Sequence, residues 1–258
     1  MIFFKMKRTR LSSLIIFVTL TTSCIAQNNE ELFTKAQKFK SVYNYREALP
    51  LYQSLLKGDS SNVNYLTGAS YCMTKFSFYY SPESEKMKYY TTAGYLAQKA
   101  IKLSETNAEG HYVYALALGR IYENASSKVK IANAKALKTQ LDKSITLNPK
   151  IAGAHHILGR WHRTIAGFSA VEKMMINSFF GGVPEGGSYQ DAVKSFMTAI
   201  SIEPKFMLHQ YELAETYYEM GKFVEAKLWA QKALEIIPVC EDDNKAKKDT
   251  EALLKKLK

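Results

Sequence analysis

The chain has 258 residues, 47% of them hydrophobic and 23% charged, with a formal net charge of +11 at pH 7. A basic excess of this size is usually a solvated surface. It favours anionic partners only mildly, and without zinc-finger spacing or a recognition-helix pattern it gives no case for nucleic-acid binding. Three cysteines are too few for a disulfide-built scaffold.

The N-terminus reads as a targeting segment. Lys5, Lys7, Arg8 and Arg10 precede the apolar run Leu11 to Leu20, and small and polar residues follow to Ser23-Cys24-Ile25-Ala26-Gln27. This is the charged, apolar, small-residue order of a secretory signal peptide. The run is too short to be a comfortable membrane span. Cleavage after Ala26 is the leading reading and predicts an exported protein, periplasmic or associated with the cell envelope. Lipid attachment at Cys24 is the alternative, against which Thr21 stands where Leu is usual. An uncleaved anchor is third. Removing residues 1–26 takes four positive charges and leaves 27–258 at about +7, long enough for one continuous core. Neither a second domain nor a low-complexity linker is evident.

From Phe33 onward, small and bulky residues recur in five copies. A small residue falls where two helices must cross closely: Ala36, Ala69, Gly119, Gly159 and Ala214. Three positions later a bulky residue fills the gap between neighbours: Phe39, Cys72, Tyr122, His162 and Tyr217. A second small residue opens the following helix at Ala48, Ala93, Ala192 and Ala226, whereas the third copy has Leu137. Pro149, Pro204 and Pro238 stop three of the second helices, since proline lacks an N–H donor and clashes with the preceding turn. Ser60 and Glu105 stand at that point in the first two copies. The pattern is that of the tetratricopeptide repeat, in which helix pairs stack into a curved wall and usually bind rather than transform a ligand. It predicts an all-α solenoid of about five helix pairs over 27–258, closed by a Lys-rich capping helix near Lys245 to Lys258.

The spacing between copies is irregular, because two insertions separate first and second helices. One runs from Lys75 to Thr92 and carries Phe76, Phe78, Tyr79, Tyr80, Tyr89 and Tyr90. Within it, Ser81-Pro82-Glu83 reads as a helix start, with Ser as cap and Pro at the first helical position. The other runs from Ile165 to Gly187. Its Phe179 to Gly187 segment is a glycine-rich loop that permits a tight passage between helices, and Ser188 to Asp191 caps the next helix.

Two motifs carry a resemblance to a known family. Glu109-Gly110-His111-Tyr112 with Ala115-Leu116-Ala117-Leu118-Gly119-Arg120 is one. Ala154-His155-His156-Ile157-Leu158-Gly159-Arg160-Trp161, followed by Phe180-Gly181-Gly182-Val183-Pro184 and Ser188-Tyr189-Gln190-Asp191-Ala192, is the other. Together they resemble the third- and fourth-repeat signatures of the regulator of microtubule dynamics proteins, over roughly Phe33 to Leu257. Glu185 stands where that family often has a second proline. The resemblance implies a non-enzymatic helical adaptor. Some eukaryotic members associate with microtubules, and one branch tethers membranes and binds phospholipid through its repeats. An exported chain meets no microtubules, so that association is a distant alternative here, and peptide or lipid binding transfers better.

The concave face is read from the repeat itself. It offers Val113, Leu116, Arg120, Glu123 and Asn124 in repeat three. Repeat four offers Gly153, His156, Arg160, Arg163 and Thr164, and repeat five Leu208, Tyr211, Glu215, Tyr218 and Glu219. Arg120, His156, Arg160, Arg163, Tyr211 and Tyr218 are the candidate ligand-binding residues. Two guanidinium groups in one concavity suit a carboxylate or phosphate; alternatively each pairs with a neighbouring acid, Glu123 for example. An apolar tunnel beneath the arginines would suit acyl chains, helped by the aromatics of Phe76 to Tyr90. A shallow polar trough would suit a peptide or protein segment, and such a partner held in the concave groove is the leading reading, with phospholipid in the same groove as the alternative. His155, His156 and His162 lack the acid or Cys that completes a metal set. No cofactor is expected, since the Gly181 to Gly187 loop lacks the Gly-Lys-Ser/Thr of a phosphate loop. Cys72 reads as an inert core thiol, and Glu241-Asp242-Asp243 as an exposed turn.

Overall fold

The structure, a computed structural model, describes residues 27–258 except 124, 126, 180, 181 and 185. The leader assigned to 1–26 lies outside these residues, as do Asn124 of the proposed groove and Phe180, Gly181 and Glu185 of the glycine loop.

The described residues form helices and no strand. The helices are α1 (27–41), α2 (Tyr45–Gly58), α3 (Val63–Tyr80), α4 (Glu83–Leu103), α5 (Ala108–Ile121), α6 (Ser127–Leu147), α7 (Ala152–Ala166), α8 (Ala170–Phe179), α9 (Tyr189–Ile202), α10 (Met207–Glu219), α11 (Phe223–Leu234) and α12 (Glu241–Lys256). They pair as α1–α2, α3–α4, α5–α6, α7–α9 and α10–α11, and α12 covers the last pair. This is the expected five-pair solenoid with a capping helix, which begins at Glu241, earlier than expected.

The recurring small residues sit at the helix crossings. Ala36, Ala48, Ala69, Ala93, Ala192, Ala214 and Ala226 are all fully buried. At Gly159 the crossing is tighter still: an added Cβ would lie 2.8 Å from Cε1 of Phe196 on α9. The other repeat glycine, Gly119, is under no such constraint, because its added Cβ would approach nothing nearer than 3.8 Å.

The two insertions take different forms. The first is no loop; it lengthens α3 to 18 residues and α4 to 21. Pro82 itself occupies the cap position of α4, with no side-chain cap bond, so the expected Ser81 cap is absent. The second contributes α8, between the partners α7 and α9. The cap at Ser188 is as expected: its hydroxyl oxygen accepts from the Asp191 N–H at 3.0 Å and its O–H donates to the Asp191 carboxylate at 2.7 Å.

The curvature is tight enough for the two ends to meet. Lys75 on α3 reaches Asp242 on α12 with Nζ 2.8 Å from Oδ2, and the Tyr79 hydroxyl donates to the same carboxylate. Asp242 is 4% exposed and Asp243 fully buried, so these acids form the first turn of α12 rather than an exposed turn. An acidic first turn also complements the positive end of that helix. Beside this contact, Tyr43 stacks on Phe206 at a ring separation of 5.9 Å. Tyr43 has φ 60°, a left-handed conformation that costs a non-glycine residue about 1–2 kcal/mol. It ends α1 as Gly221 ends α10, with the next N–H bonded back five residues: Asn44 to Phe39 and Lys222 to Tyr217. Closure across the concave face follows.

Two outcomes are expected from thermal melts. Gly159→Leu drives a branched side chain into Phe196 and should prevent cooperative folding, whereas Gly119→Ala should be neutral or stabilise by about 0.5–1 kcal/mol. Asp242→Ala leaves the Lys75 ammonium buried without its partner and should cost about 3–5 kcal/mol, on the order of 10 °C in Tm. Burial alone would raise the Asp242 pKa, but the Lys75 charge and the Lys75 and Tyr79 hydrogen bonds outweigh it and hold the group below its ordinary 3.8. The contact therefore contributes fully above about pH 4 and is lost as pH falls through the folded value. A Tm-against-pH profile flat in that range would contradict it.

Candidate functional site

Closure turns the groove into a half-enclosed cavity of about 960 Å³. Its wall has two characters. The part built by α5 to α8 is mainly apolar, with Leu116, Leu137, Ile157, Trp161, Ile165 and Ile176 facing in, and Arg120, Lys130, Arg160 and Glu172 also bordering it. The part built where the ends of the solenoid meet is polar and aromatic, with Lys40, Tyr43, Tyr71, Lys75, Glu109, Tyr112, Glu203, Phe206, His209 and Asp242.

The apolar part has a local cause. Leu137 occupies the point where the other repeats have Ala, and α6 packs on α7 less closely than α2 packs on α3 or α4 on α5. Trp161 spans the gap, its indole N–H donating to the Ala134 carbonyl at 3.0 Å. On the inner side of α7, an added Cβ at Gly153 would strike the Tyr112 hydroxyl at 2.2 Å, so this glycine lets the Tyr112 ring lie along the cavity wall.

Of the six residues expected to bind, Arg120, His156 and Arg160 line the cavity. Arg120 stacks 3.7 Å from the Phe78 ring and pairs with Glu123 at 3.0 Å, the internal arrangement weighed against an anion site. Arg160 is freer. It is 47% exposed, with Glu212 at 3.5 Å. Arg163, Tyr211 and Tyr218 do not line this cavity. Arg163 is drawn to Glu212 at 2.6 Å, to Glu219 at 3.4 Å and to the Glu212 carbonyl at 3.0 Å. Tyr211 and Tyr218 pack toward α12 with Leu253 and Leu254. The aromatics expected to hold acyl chains are also displaced: Phe76, Phe78, Tyr79, Tyr80, Tyr89 and Tyr90 lie on α3 and α4 and do not line the cavity.

The motif histidines serve structure. His111 is buried with Nδ1 2.7 Å from the Gln140 side-chain oxygen and Nε2 2.9 Å from the Glu105 carbonyl. His155 meets the Pro149 carbonyl at 2.9 Å. His156 meets His209 with Nδ1 to Nδ1 at 2.9 Å, a contact that needs one ring to donate and the other to accept. Burial, then the His209 charge and the nearby Arg160, Lys75 and Arg163, hold His156 well below its ordinary pKa. Cys72 is an inert core thiol, as read from the sequence, since burial pushes it up to about 12.

Four wall or near-wall residues were missed. Lys75, His209, Glu212 and Asp242 are polar groups buried by partners far away in the chain, and no local pattern marks them. Two of the wall lysines have a carboxylate close by: Lys40 pairs with Glu109 at 3.1 Å and Lys75 with Asp242.

Stacked helix pairs around an internal cavity define a tetratricopeptide-repeat protein. The fold is shared with a thermophilic TPR protein from Thermus thermophilus, at TM-score 0.64 and 17% identity, covering 88% of this chain and 98% of that one. The profile of the family described as regulator of microtubule dynamics protein 1-3 matches residues 32–258, and the chain belongs to that family. Regulator of microtubule dynamics protein 3 of Bos taurus is 33% identical over 171 residues, which span 66% of this chain and 36% of that protein. Regulator of microtubule dynamics protein 1 of Mus musculus is 28% identical over 230 residues, 87% of this chain and 73% of the relative. The chain thus spans only about a third of the first such relatives. Among the described residues no helix is long and apolar enough to cross a membrane.

His156 should remain neutral as pH falls through its ordinary value of 6.5. A base whose folded pKa is depressed loses stability as pH falls below its unfolded pKa. An NMR titration of the ring protons checks this, and a His156 midpoint at or above 6.5 would contradict it.

Proposed function

We propose that the protein is a non-enzymatic binding protein of the cell envelope that holds an anionic amphiphile, of phospholipid class, in its inner cavity. The observation that carries this reading is the enclosure of about 960 Å³ behind a largely apolar wall. Ligand sites of roughly 300–1,000 Å³ with apolar walls and few polar groups suit small molecules, and each buried methylene favours binding by about 0.8 kcal/mol. Arg160, with Lys130 and Lys150 on the same wall, supplies positive charge for a head group. The envelope location rests on the targeting pattern of residues 1–26.

A protein or peptide partner is the second reading. The closed concave face is a poor trough for an extended segment, so such a partner fits the convex side better. There α11 exposes Phe223, Val224 and Leu228, 56%, 81% and 48% exposed.

Native mass spectrometry of protein purified from its own cell envelope is expected to show a bound mass that denaturation releases. Ile157→Trp, which fills the apolar part of the cavity, should lower occupancy roughly tenfold or more, and Arg160→Gln should lower it less. A ligand-free mass, with exposed fluorescent phospholipid failing to load, would discard the lipid reading and turn attention to partners of α11.

A further inference from the structure

The insertion helix α8 belongs to neither partner of its repeat. Both its ends are tied by its own residues. The Ser169 N–H and hydroxyl each donate to the Glu172 carboxylate at 2.8 Å, and the Ser169 oxygen accepts from the Glu172 N–H at 3.2 Å. After the helix, the Val183 N–H donates to the Asn177 side-chain oxygen at 2.9 Å. The helix is therefore a distinct amphipathic piece, and its acid is turned back to its own cap.

The two faces of α8 differ. Ile176 is 4% exposed and looks into the cavity, whereas Val171, Met174 and Met175 are 61%, 63% and 49% exposed. The latter three fall at i, i+3 and i+4, one stripe of the helix. No other described helix packs extensively on α8. Met175 belongs to both faces, since it also borders the cavity. A continuous apolar path thus leads from the outer stripe, through Met175 and Ile176, to Ile165 and Trp161 inside. Cations flank it, with Lys173 on the helix itself and Lys130 and Arg160 on the cavity wall.

We propose that α8 docks on a lipid bilayer, its Val171–Met174–Met175 stripe entering the boundary between head groups and acyl chains, and that the cavity loads through this mouth. The proposal deepens the lipid reading above and rests on it. An apolar stripe with basic residues beside it is the composition of an interfacial helix, and anionic head groups attract such basic residues. A bilayer fits this stripe better than a folded partner does, because the stripe is continuous with the apolar interior through Met175 and Ile176, and Glu172, which also borders the cavity, is held by the Ser169 cap.

The test is flotation of the purified protein with phosphatidylcholine–phosphatidylglycerol vesicles, paired with loading of a fluorescent phosphatidylglycerol from cyclodextrin. Val171→Glu with Met174→Glu should lower vesicle partition roughly a hundredfold, about tenfold for each anchor, while cyclodextrin loading persists. Ile237→Glu, at an exposed apolar residue beyond α11, should leave both unchanged. Met174→Trp should shift its emission to the blue on vesicle addition. Vesicle binding that is absent in the parent protein, or unaltered by the double substitution, overturns the proposal and leaves the stripe to a protein partner. Failure of cyclodextrin loading with vesicle binding intact would instead remove the cavity reading and keep α8 as a docking helix.

Discussion

The contact among Lys75, Tyr79 and Asp242 decides what the rest of the solenoid can do. Its partners are 167 residues apart in sequence, and both charged groups are largely removed from water. A buried pair of this kind repays its desolvation only when the remaining lone pairs are satisfied, and here Tyr79 supplies the second donor to the carboxylate. Its consequence is geometric more than energetic. A tetratricopeptide solenoid left open presents a trough; joined from α3 to α12, it presents a cavity. Tyr43 accepts a left-handed backbone at the end of α1, and from there its ring stacks on Phe206. A residue held in a sparsely populated conformation beside a site is a common companion of function.

Within that frame the apolar part of the cavity sits beside one irregular repeat. Leu137 stands in α6 where the other second helices carry alanine, and it packs on its own partner α5 beside Gly119. The looser junction is the one between α6 and α7, which Trp161 spans and α8 borders. The apolar space lies at that junction. The same logic explains why the aromatic run of the first insertion is not in the cavity. Those residues lengthen α3 and α4 into regular helices, so their rings pack on each other and on Arg46 and Arg120.

What was legible in the sequence was what repeats. Ala36, Ala69, Gly159 and Ala214 mark crossings because every repeat imposes the same steric demand, and Ser188 marks a helix start because its cap lies three residues away. The groove was half legible: Arg120, His156 and Arg160 follow from position within a repeat, which assumes an ordinary open curvature. Closure was not legible. It depends on Lys75 inside an insertion and on Asp242 in an acidic triplet that looks solvent-exposed, and no short-range pattern links them. Arg163, Tyr211 and Tyr218 lie outside the cavity lining for the same reason. Glu212 and α12 engage them from elements whose approach the repeat pattern does not specify.

The cavity is half-enclosed, and its two sides are held differently. Opening at Asp242 separates the Lys75–Asp242 pair, the Tyr79 hydrogen bond to the same carboxylate and the Tyr43–Phe206 stack together. Opening at α8 breaks little, because the helix carries its own caps and shares few contacts with its neighbours. Local opening is drawn from the least packed elements of a fold. The Lys75–Asp242 contact is therefore the more tightly held side of the cavity and α8 the less tightly packed one. That difference places the apolar stripe of Val171, Met174 and Met175 on the less tightly packed side.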